Sequence, residues 1–338
     1  MQLGAKRAAC GILLLVGALL VATDHGRESS WWLPLGYSGG DSSGGAPEVA
    51  SLQEIYDDAA VDLARSQRTI PGLLVPDVVV QIWLGGMPIR NFSVLSALSV
   101  HFVQRPRAFV LIIDEVPLTE SHEERIAWQC VQSLAHIVQR NTSDILPPRW
   151  NESHFLHVAK KAVGAPNVYR ADILRLEVLQ KYGGIYLDGD VILLKPLTSL
   201  RSHNFTMGFD RYQGIDKLNN GVMLSSRDSR FARLFYDSWE HWEWNGPQDH
   251  HGCEVPYRLA KKHPKLVYTS YNEIPTLTLE AGSPRVMQEQ IEKVLRAPRA
   301  GCLSLRVLSD YCTNCAAQYW PTNTCAVVCL SFLSVGQV

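Results

Sequence analysis

The sequence lacks an excess of basic residues. Its 32 lysine and arginine residues are balanced by 33 aspartate and glutamate residues, which gives a formal net charge of −1 and an isoelectric point near 6.8. Proteins that bind nucleic acid usually carry a basic surface for the phosphates. The balance argues against a nucleic-acid partner, so any phosphate that this chain binds must be met by local groups.

Charged residues are also few, at 19% of the 338 residues, whereas 46% are hydrophobic. Disordered chains have the opposite composition, with many charges and few apolar residues. A chain of this length and composition can bury a large core. We therefore expect one sizeable α/β domain with appended segments.

The N-terminus has a basic start with Lys6 and Arg7, followed by the apolar run AACGILLLVGALLVA. This pattern is typical of a signal peptide or a signal anchor. Leu20 occupies a position where a cleavage site needs a small residue, so we favour an uncleaved anchor over residues 1–23. The basic end would be cytoplasmic and the rest lumenal. Glycine and serine residues then predict a flexible stem over residues 24–70.

Four Asn-x-Ser/Thr sequons also suit a lumenal protein. We predict glycosylation at Asn91, Asn141, Asn151 and Asn204. With the N-terminal segment, they lead us to expect a single-pass type II protein of the Golgi membrane. A secreted or endoplasmic reticulum protein is the alternative.

Eight cysteines are present, and Cys10 lies in the apolar run, which leaves an odd number for the lumenal part. Four cysteines form a CxxC and a CxxxC pair near the C-terminus: Cys312, Cys315, Cys325 and Cys329. These spacings resemble a zinc site, but disulfides are the favoured interpretation in an oxidising lumen. Residues 297–338 are therefore assigned as a cysteine-rich tail of uncertain structure.

Residues 71–296 alternate strand patterns with helix patterns. Short apolar or alternating runs predict strands in DVVVQIWLGG, AFVLIIDEVP, IYLDGDVILL, NFTMGFD and NNGVMLSS. Apolar residues at helical spacing predict helices in YRADILRLEVLQKYGG, which Gly183 would end, and in SRFARLFYDSWEHWEW. This alternation predicts an α/β domain with a mostly parallel sheet.

The stretch IYLDGDVILLKPL places Asp188 and Asp190 one residue apart between two apolar segments. Gly189 between them permits a turn that brings both carboxylates to one side. Unpaired carboxylates repel each other, whereas Mg²⁺ or Mn²⁺ binds carboxylate oxygens and keeps positions for phosphate. The pattern indicates a divalent metal with an anionic ligand.

Other interpretations compete with the metal site. Asp-Gly-Asp is also ordinary β-turn chemistry. A calcium loop of the EF-hand kind is excluded, because the following VILLKPLTSL lacks further acidic residues. Glycosidase carboxylates are roughly 5 to 9 Å apart, so side chains two residues apart could be too close without a distant partner.

The run YRADILRLEVLQKYGGIYLDGDVILLKPL resembles glycosyltransferase family 32, whose sugar-binding region contains the DXD motif. It is also similar to α-1,4-galactosyltransferase/N-acetylglucosaminyltransferase-like proteins and to the clostridial glucosylating toxin core. VVVQIWLGG and NNGVMLSS resemble the family's opening strand and the segment after the acidic pair. The resemblance implies a glycosyltransferase-A type, Rossmann-like domain that binds a nucleotide sugar at the carboxyl ends of its strands.

The resemblance also implies roles for individual residues. Asp188 and Asp190 would be the catalytic pair and metal ligands, with Asp190 on Mn²⁺ and Asp188 on the ribose or sugar, directly or through metal-bound water. Asp172 and Arg175, one helical turn apart, would hold donor-sugar hydroxyls. The remaining donor-binding candidates are Trp83, which would stack on the base, Tyr182, Asn220 and Gly221.

Each candidate also has an ordinary structural interpretation. Asp172 and Arg175 could form a surface ion pair, Trp83 could pack in the core, and Asn220 could belong to a turn. Two features depart from the family pattern. Val80 stands where the family usually has a histidine. No segment beyond Ser225 matches the further metal or phosphate ligand of this fold. His250, His251 and Glu254 in GPQDHHGCEVPY are candidates for it, with His250 as the metal ligand, although adjacent histidines are more often surface residues.

These residues predict a metal-dependent, retaining glycosyltransferase that moves a hexose or N-acetylhexosamine to a hydroxyl of a glycan, glycolipid or glycoprotein. A UDP-sugar is favoured as the donor, with Mn²⁺ or Mg²⁺ as the cofactor. The alternative is a non-catalytic lumenal protein that keeps the fold and binds a nucleotide sugar or a carbohydrate.

Overall fold

The computed structural model describes residues 51–89, 91–161, 166–212, 214–242, 250–271, 273–274, 276–280 and 302–308. The predicted anchor over residues 1–23, most of the predicted stem and the four paired tail cysteines lie outside these ranges. Among the helices inside them, none is both long enough and apolar enough to cross a membrane.

The described ranges contain seven α-helices and ten strands. The helices are α1 (Leu52–Ser66), α2 (Asn91–Ser99), α3 (His122–Leu134), α4 (Glu152–Ala159), α5 (Pro166–Tyr182), α6 (Arg230–Ser238) and α7 (Val255–Lys262). The strands are β1 (Val78–Trp83), β2 (Ala108–Ile113), β3 (His136–Gln139), β4 (Gly184–Leu187), β5 (Val191–Leu193), β6 (Phe205–Tyr212), β7 (Ile215–Ser225), β8 (Tyr268–Ser270), β9 (Thr276–Glu280) and β10 (Cys302–Leu308). Short helical turns, Val100–Gln104, Thr142–Asp144, Thr198–Ser202, Trp239–His241 and His250–Glu254, connect them.

Seven strands form one sheet in the order β3-β2-β1-β4-β7-β6-β8. Only β7 runs against its neighbours, so six of the seven strands point in the same direction. A smaller sheet has the order β5-β10-β9. The prediction of an α/β domain with a mostly parallel sheet is confirmed.

The continuous apolar run of β1 explains its central position in the sheet. Val78 and Val80 pack on one face, in a core cluster that includes apolar residues of α1, α5 and α6. Val79 packs on the other face, in a cluster that includes residues of α2 and α3. The strand is thus covered on both sides, and its carboxyl end is left to carry functional groups.

Helix α5 ends where the sequence predicts. Gly183 follows Tyr182 with φ of +76°, in the left-handed region that favours glycine. A Cβ at residue 183 would lie 2.7 Å from the backbone nitrogen of Arg227. The glycine therefore allows α5 to turn directly into β4, which brings the helix face beside the acidic turn.

Two boundaries differ from the predicted ones. Helix α1 occupies part of the predicted stem: Ser51 and Glu54 form a capping box, and the buried face includes Ile55 and Tyr56. Only a narrow stripe of this otherwise polar helix is buried, so its apolar pattern is weak. Strand β10 falls in the predicted tail and pairs with β5 and β9.

Candidate active site

The acidic turn lies at the carboxyl end of β4. Leu187 of β4 pairs with Val222 of the antiparallel strand β7. The backbone N–H of Asp188 then donates to the Gly221 carbonyl at 2.8 Å, and Val191 N–H donates to the Asp188 carbonyl at 3.0 Å. Asp188 is half-buried and Asp190 is exposed. Both aspartates therefore stand at the edge where ligands bind in parallel α/β sheets.

The Asp188 carboxylate is fixed by two donors. The Tyr186 hydroxyl donates to Asp188 Oδ1 at 2.6 Å, and Arg175 Nη1 lies 3.2 Å from the same oxygen. The Arg175 guanidinium also lies 4.4 Å from the centre of the Tyr186 ring. On the other side, a Cβ at Gly221 would come within 2.6 Å of Asp188 Oδ2, so glycine keeps that space clear.

Arg175 joins three elements of the fold. It projects from α5 and is 6% exposed. Its Nη2 lies 3.1 Å from Asp172 Oδ1 on the same helix, and its Nη1 donates to the Asn220 carbonyl of β7 at 3.0 Å. Together with the contact to Asp188, these bonds make one guanidinium the shared partner of two carboxylates. Asp172 and Arg175 thus form a buried ion pair, unlike the ordinary surface pair of the competing interpretation.

Burial and neighbouring charges shift the pKa values of Asp172 and Arg175 in opposite directions. Burial raises the pKa of Asp172 to about 6, although Arg175 opposes the shift. Burial alone would lower the pKa of Arg175, but the nearby anions, Asp188 first, outweigh it and raise the pKa. Burial raises the pKa of Tyr186 well above its ordinary value. At neutral pH the site therefore combines a charged arginine with a protonated tyrosine hydroxyl.

Asn220 extends the cluster towards the helical turn His250–Glu254. Its Nδ2 donates to Asp172 Oδ1 at 2.8 Å, and the Cys253 thiol donates to its Oδ1 at 3.7 Å. A Cβ at Gly252 would lie 2.6 Å from Asn220 Nδ2 and 3.3 Å from Asp172 Oδ2. The bare backbone of this turn therefore packs against the amide that holds Asp172.

Substituting Gly252 by alanine tests this packing. The new methyl group must displace the Asn220 side chain, which would break its hydrogen bond to Asp172. We expect kcat/KM for a substrate bound at this site to fall roughly tenfold, the order of one lost hydrogen bond to a charged group, with a small change in Tm because the amide can rotate. The control is a double-mutant cycle with Asn220→Ala: additive losses of kcat/KM would contradict the contact.

Trp83 stands beside the acidic turn, at the end of β1. Its indole Nε1 donates to the Met87 carbonyl at 2.6 Å, and a Cβ at Gly189 would lie 3.3 Å from its ring. The side chain is partly buried and packs against the core cluster that contains Val79. Trp83 is therefore a partly buried residue that packs on the core and also lies against the acidic turn.

Tyr182 lies away from the other predicted site residues. It is the last residue of α5, before β4 begins, so it stands at the opposite edge of the sheet from Asp188. There its ring stacks on Tyr56 at 4.9 Å. Tyr186 is the tyrosine that reaches the site. Alternation along β4 could have identified it, because residues two apart point to the same face and Tyr186 precedes Asp188 by two.

The remaining predicted site residues are only partly described. His250 begins the turn His250–Glu254, but its side chain lies outside the described part of the chain. Its neighbour His251 is buried, with Nε2 3.2 Å from Ser238 Oγ. Within the described residues, no group of three or more histidine, cysteine, aspartate or glutamate side chains is placed to hold a metal ion.

Three of the four sequon asparagines are exposed, namely Asn141, Asn151 and Asn204. The side-chain oxygens of Asn141 and Asn151 accept backbone N–H bonds at the starts of helical segments. Asn91 begins α2, and its side chain is not described. Glycosylation at these positions stays a prediction.

Comparison with known proteins gives a family match over the site. Residues 129–206 match the family described as "Glycosyltransferase sugar-binding region containing DXD motif". This range contains Asp172, Arg175, Asp188 and Asp190. The match therefore covers the cluster around Arg175 and the acidic turn.

Two curated relatives are similar to parts of this chain. Glucan organizing enzyme 1 of Cryptococcus neoformans var. grubii serotype A is 24% identical over 211 residues, which are 58% of this chain and 52% of the relative. The uncharacterized protein At4g19900 of Arabidopsis thaliana is 43% identical over 61 residues, 18% of this chain and 9% of the relative. The chain spans about half the length of the first relative and a small part of the second.

Two solved structures cover most of the chain at low similarity. The PaToxG glycosyltransferase is 15% identical, with 83% of this chain and 95% of that chain covered and a TM-score of 0.39. The galactosyltransferase LgtC, solved with donor and acceptor sugar analogs, is 11% identical, with coverage of 76% and 94% and a TM-score of 0.37. The family match is the more specific finding: residues 129–206 are similar to the glycosyltransferase sugar-binding region that contains the DXD motif.

Proposed function

We propose that the protein is a glycosyltransferase of the glycosyltransferase-A type, which moves a sugar from a nucleotide diphosphate to an acceptor hydroxyl. The observation that carries the proposal is the convergence on Arg175. Asp172 from α5, Asp188 after β4 and Asn220 from β7 all contact it, inside or beside the family match. Three separate elements meet at the carboxyl edge of the sheet, where this class of fold binds nucleotides.

The acidic turn fits a divalent metal of the Mg²⁺ or Mn²⁺ type. Such ions take one or two protein carboxylates and complete their shell with water and substrate phosphates. Both donors to Asp188 bind Oδ1, and Gly221 keeps the space beside Oδ2 clear. Asp188 and Asp190 would hold the ion, which would supply electrostatic stabilisation of the departing diphosphate.

The other residues would bind and orient the donor. Asp172 would accept hydrogen bonds from sugar hydroxyls, with Arg175 holding its carboxylate and donating to the sugar or diphosphate side. Asn220 would also fix Asp172, by donating to the Oδ1 that Arg175 contacts. Trp83 would cover the base, since its ring lies against the turn that carries both aspartates. These roles require no covalent nucleophile, and we propose that the anomeric configuration is retained.

The finer assignments follow the sequence and belong to the same proposal. We favour a UDP-sugar as the donor and a hydroxyl of a glycan, glycolipid or glycoprotein as the acceptor. The N-terminal segment and the sequons support a Golgi membrane protein with its catalytic domain in the lumen. The donor and acceptor assignments hold only if the site catalyses glycosyl transfer.

A donor screen tests the proposed function. The purified protein is incubated with UDP-galactose, UDP-glucose, UDP-N-acetylglucosamine and GDP-mannose, and release of the nucleotide diphosphate is measured with Mn²⁺ or with a chelator. We expect slow hydrolysis of one donor, lost on chelation and restored by Mn²⁺. Binding of a nucleotide sugar without any turnover would instead identify a non-catalytic binding protein, and absence of both would overturn the proposal.

A further inference from the structure

The hairpin formed by β6 and β7 continues past the acidic turn. A register shift between Met207 and Gly208 marks where the hairpin leaves the regular sheet, and Phe209 then pairs with Leu218. Leu218 lies two residues from Asn220, or about 7 Å along the strand. The extended part of the hairpin is therefore a neighbour of the cluster around Arg175.

Phe209 and Asn220 share one face of this hairpin. Side chains alternate along a strand, so Leu218 and Asn220 point to the same side, and Phe209 lies opposite Leu218. Contacts with the helices that cover this face are consistent with the shared orientation. Asn220 donates a hydrogen bond to Asp172 of α5, and the Phe209 ring centre lies 6.4 Å from that of Tyr257 of α7. The aromatic ring thus faces the side on which the donor sugar would bind.

A second aromatic ring borders Phe209 on the solvent side. Tyr271 directly follows β8, which pairs with β6 through Ser270 and Gly208. Its ring centre lies 4.7 Å from that of Phe209, with 31° between the planes, and the residue is 64% exposed. The two rings together form a small aromatic surface, one side of which is open to solvent and could pack against the apolar face of a ligand.

Fixed polar groups line the same surface. Asp216 accepts from Arg211 Nε at 2.6 Å and from the Tyr257 hydroxyl at 3.0 Å. Arg211 and Asp216 pair across the hairpin, two residues beyond Phe209 and Leu218, so they lie on the face of Phe209. A sugar ring presents an apolar C–H face together with hydroxyl groups, and this surface offers aromatic rings together with charged hydrogen-bonding groups.

We propose that Phe209 and Tyr271 form the subsite on which a sugar ring of the acceptor stacks, with Arg211 and Asp216 binding its hydroxyls. This inference rests on the proposed glycosyl transfer and adds the place where the acceptor binds. The face shared with Asn220 would bring the acceptor hydroxyl towards the donor sugar. A nucleotide is a poorer match for the surface, because Asp216 would repel its phosphates.

Tyr271→Ala tests the subsite, with Val61→Ala as the matched control. Val61 is 61% exposed on α1, so its substitution removes a similarly exposed apolar side chain outside the hairpin that carries the subsite. For Tyr271→Ala we expect acceptor KM to rise roughly three- to tenfold, the order of one aromatic contact. The control variant should leave acceptor KM and donor hydrolysis unchanged, and Tm should be unchanged in both variants because both side chains are exposed.

Direct binding separates this inference from the proposed function. Saturation-transfer NMR is recorded with four probes: the methyl glycosides of β-galactose, β-glucose, N-acetyl-β-glucosamine and α-mannose. The expected result is a signal for at least one probe, lost in Tyr271→Ala and kept in Val61→Ala. Signals for none, or an equal signal in Tyr271→Ala, would overturn the subsite even if donor hydrolysis is observed. If only donor hydrolysis fails, the proposed enzymatic function is contradicted, whereas the sugar-binding result is unaffected.

Discussion

Replacing Asp190 by asparagine should lower the rate of glycosyl transfer about a thousandfold and leave Tm unchanged. Asparagine keeps the shape of the side chain but removes the charge that would bind the metal. Because Asp190 is exposed, the folded protein should lose little stability. Initial rates of donor hydrolysis and of transfer, with Mn²⁺ varied, measure the first effect, and thermal unfolding measures the second.

The two aspartates should behave differently in this experiment. Asp188 accepts from Tyr186 and contacts Arg175, so Asp188→Asn should lower both activity and Tm. Asp58→Asn is the matched control, since its side chain is 77% exposed on α1, far along the chain from the site. Full activity of Asp190→Asn, or equal loss of stability in the variants at residues 188 and 190, would contradict the assigned roles.

The strands could be predicted from the sequence because they are buried on both faces. Val78 to Ile82 and the run from Ala108 form unbroken apolar segments, which leave few alternatives to a covered strand. Helix α5 was equally predictable, because its apolar spacing ends at Gly183. The order of strands in the sheet was not predictable, since pairing between distant segments leaves no local pattern.

Candidate site residues were predictable where the resemblance to a family supplied their roles. The structure places Asp172, Arg175 and Asp188 together, and it places Tyr182 at the opposite edge, because β4 separates Tyr182 from the acidic turn. The donor-binding roles of these residues stay predictions. Gly252 was not predicted. Its role depends on a helical turn packing against β7, a contact between segments about thirty residues apart that only the folded chain reveals.

Replacing Arg175 by methionine should destabilise the protein by about 3 kcal/mol at neutral pH and abolish activity. Methionine fills a similar volume but leaves the buried Asp172 and the half-buried Asp188 without their shared cation. Arg65→Met is the matched control, because that arginine is 75% exposed on α1 and its loss should change stability little. Chemical denaturation at pH 7 compares the two variants with the unmodified protein.

The stability lost in Arg175→Met should depend on pH in a defined direction. Burial raises the pKa of Asp172 from 3.8 to about 6, and Arg175 is the main influence that opposes the rise. A carboxyl with a raised native pKa favours the protonated native state, so its contribution to stability falls as pH increases from the unfolded pKa to the native one. Without Arg175 the native pKa rises further, and this interval extends above pH 6. The difference in unfolding free energy should therefore be larger at pH 8 than at pH 5, whereas a difference that stays constant with pH would show that Asp172 does not depend on Arg175 for its charge.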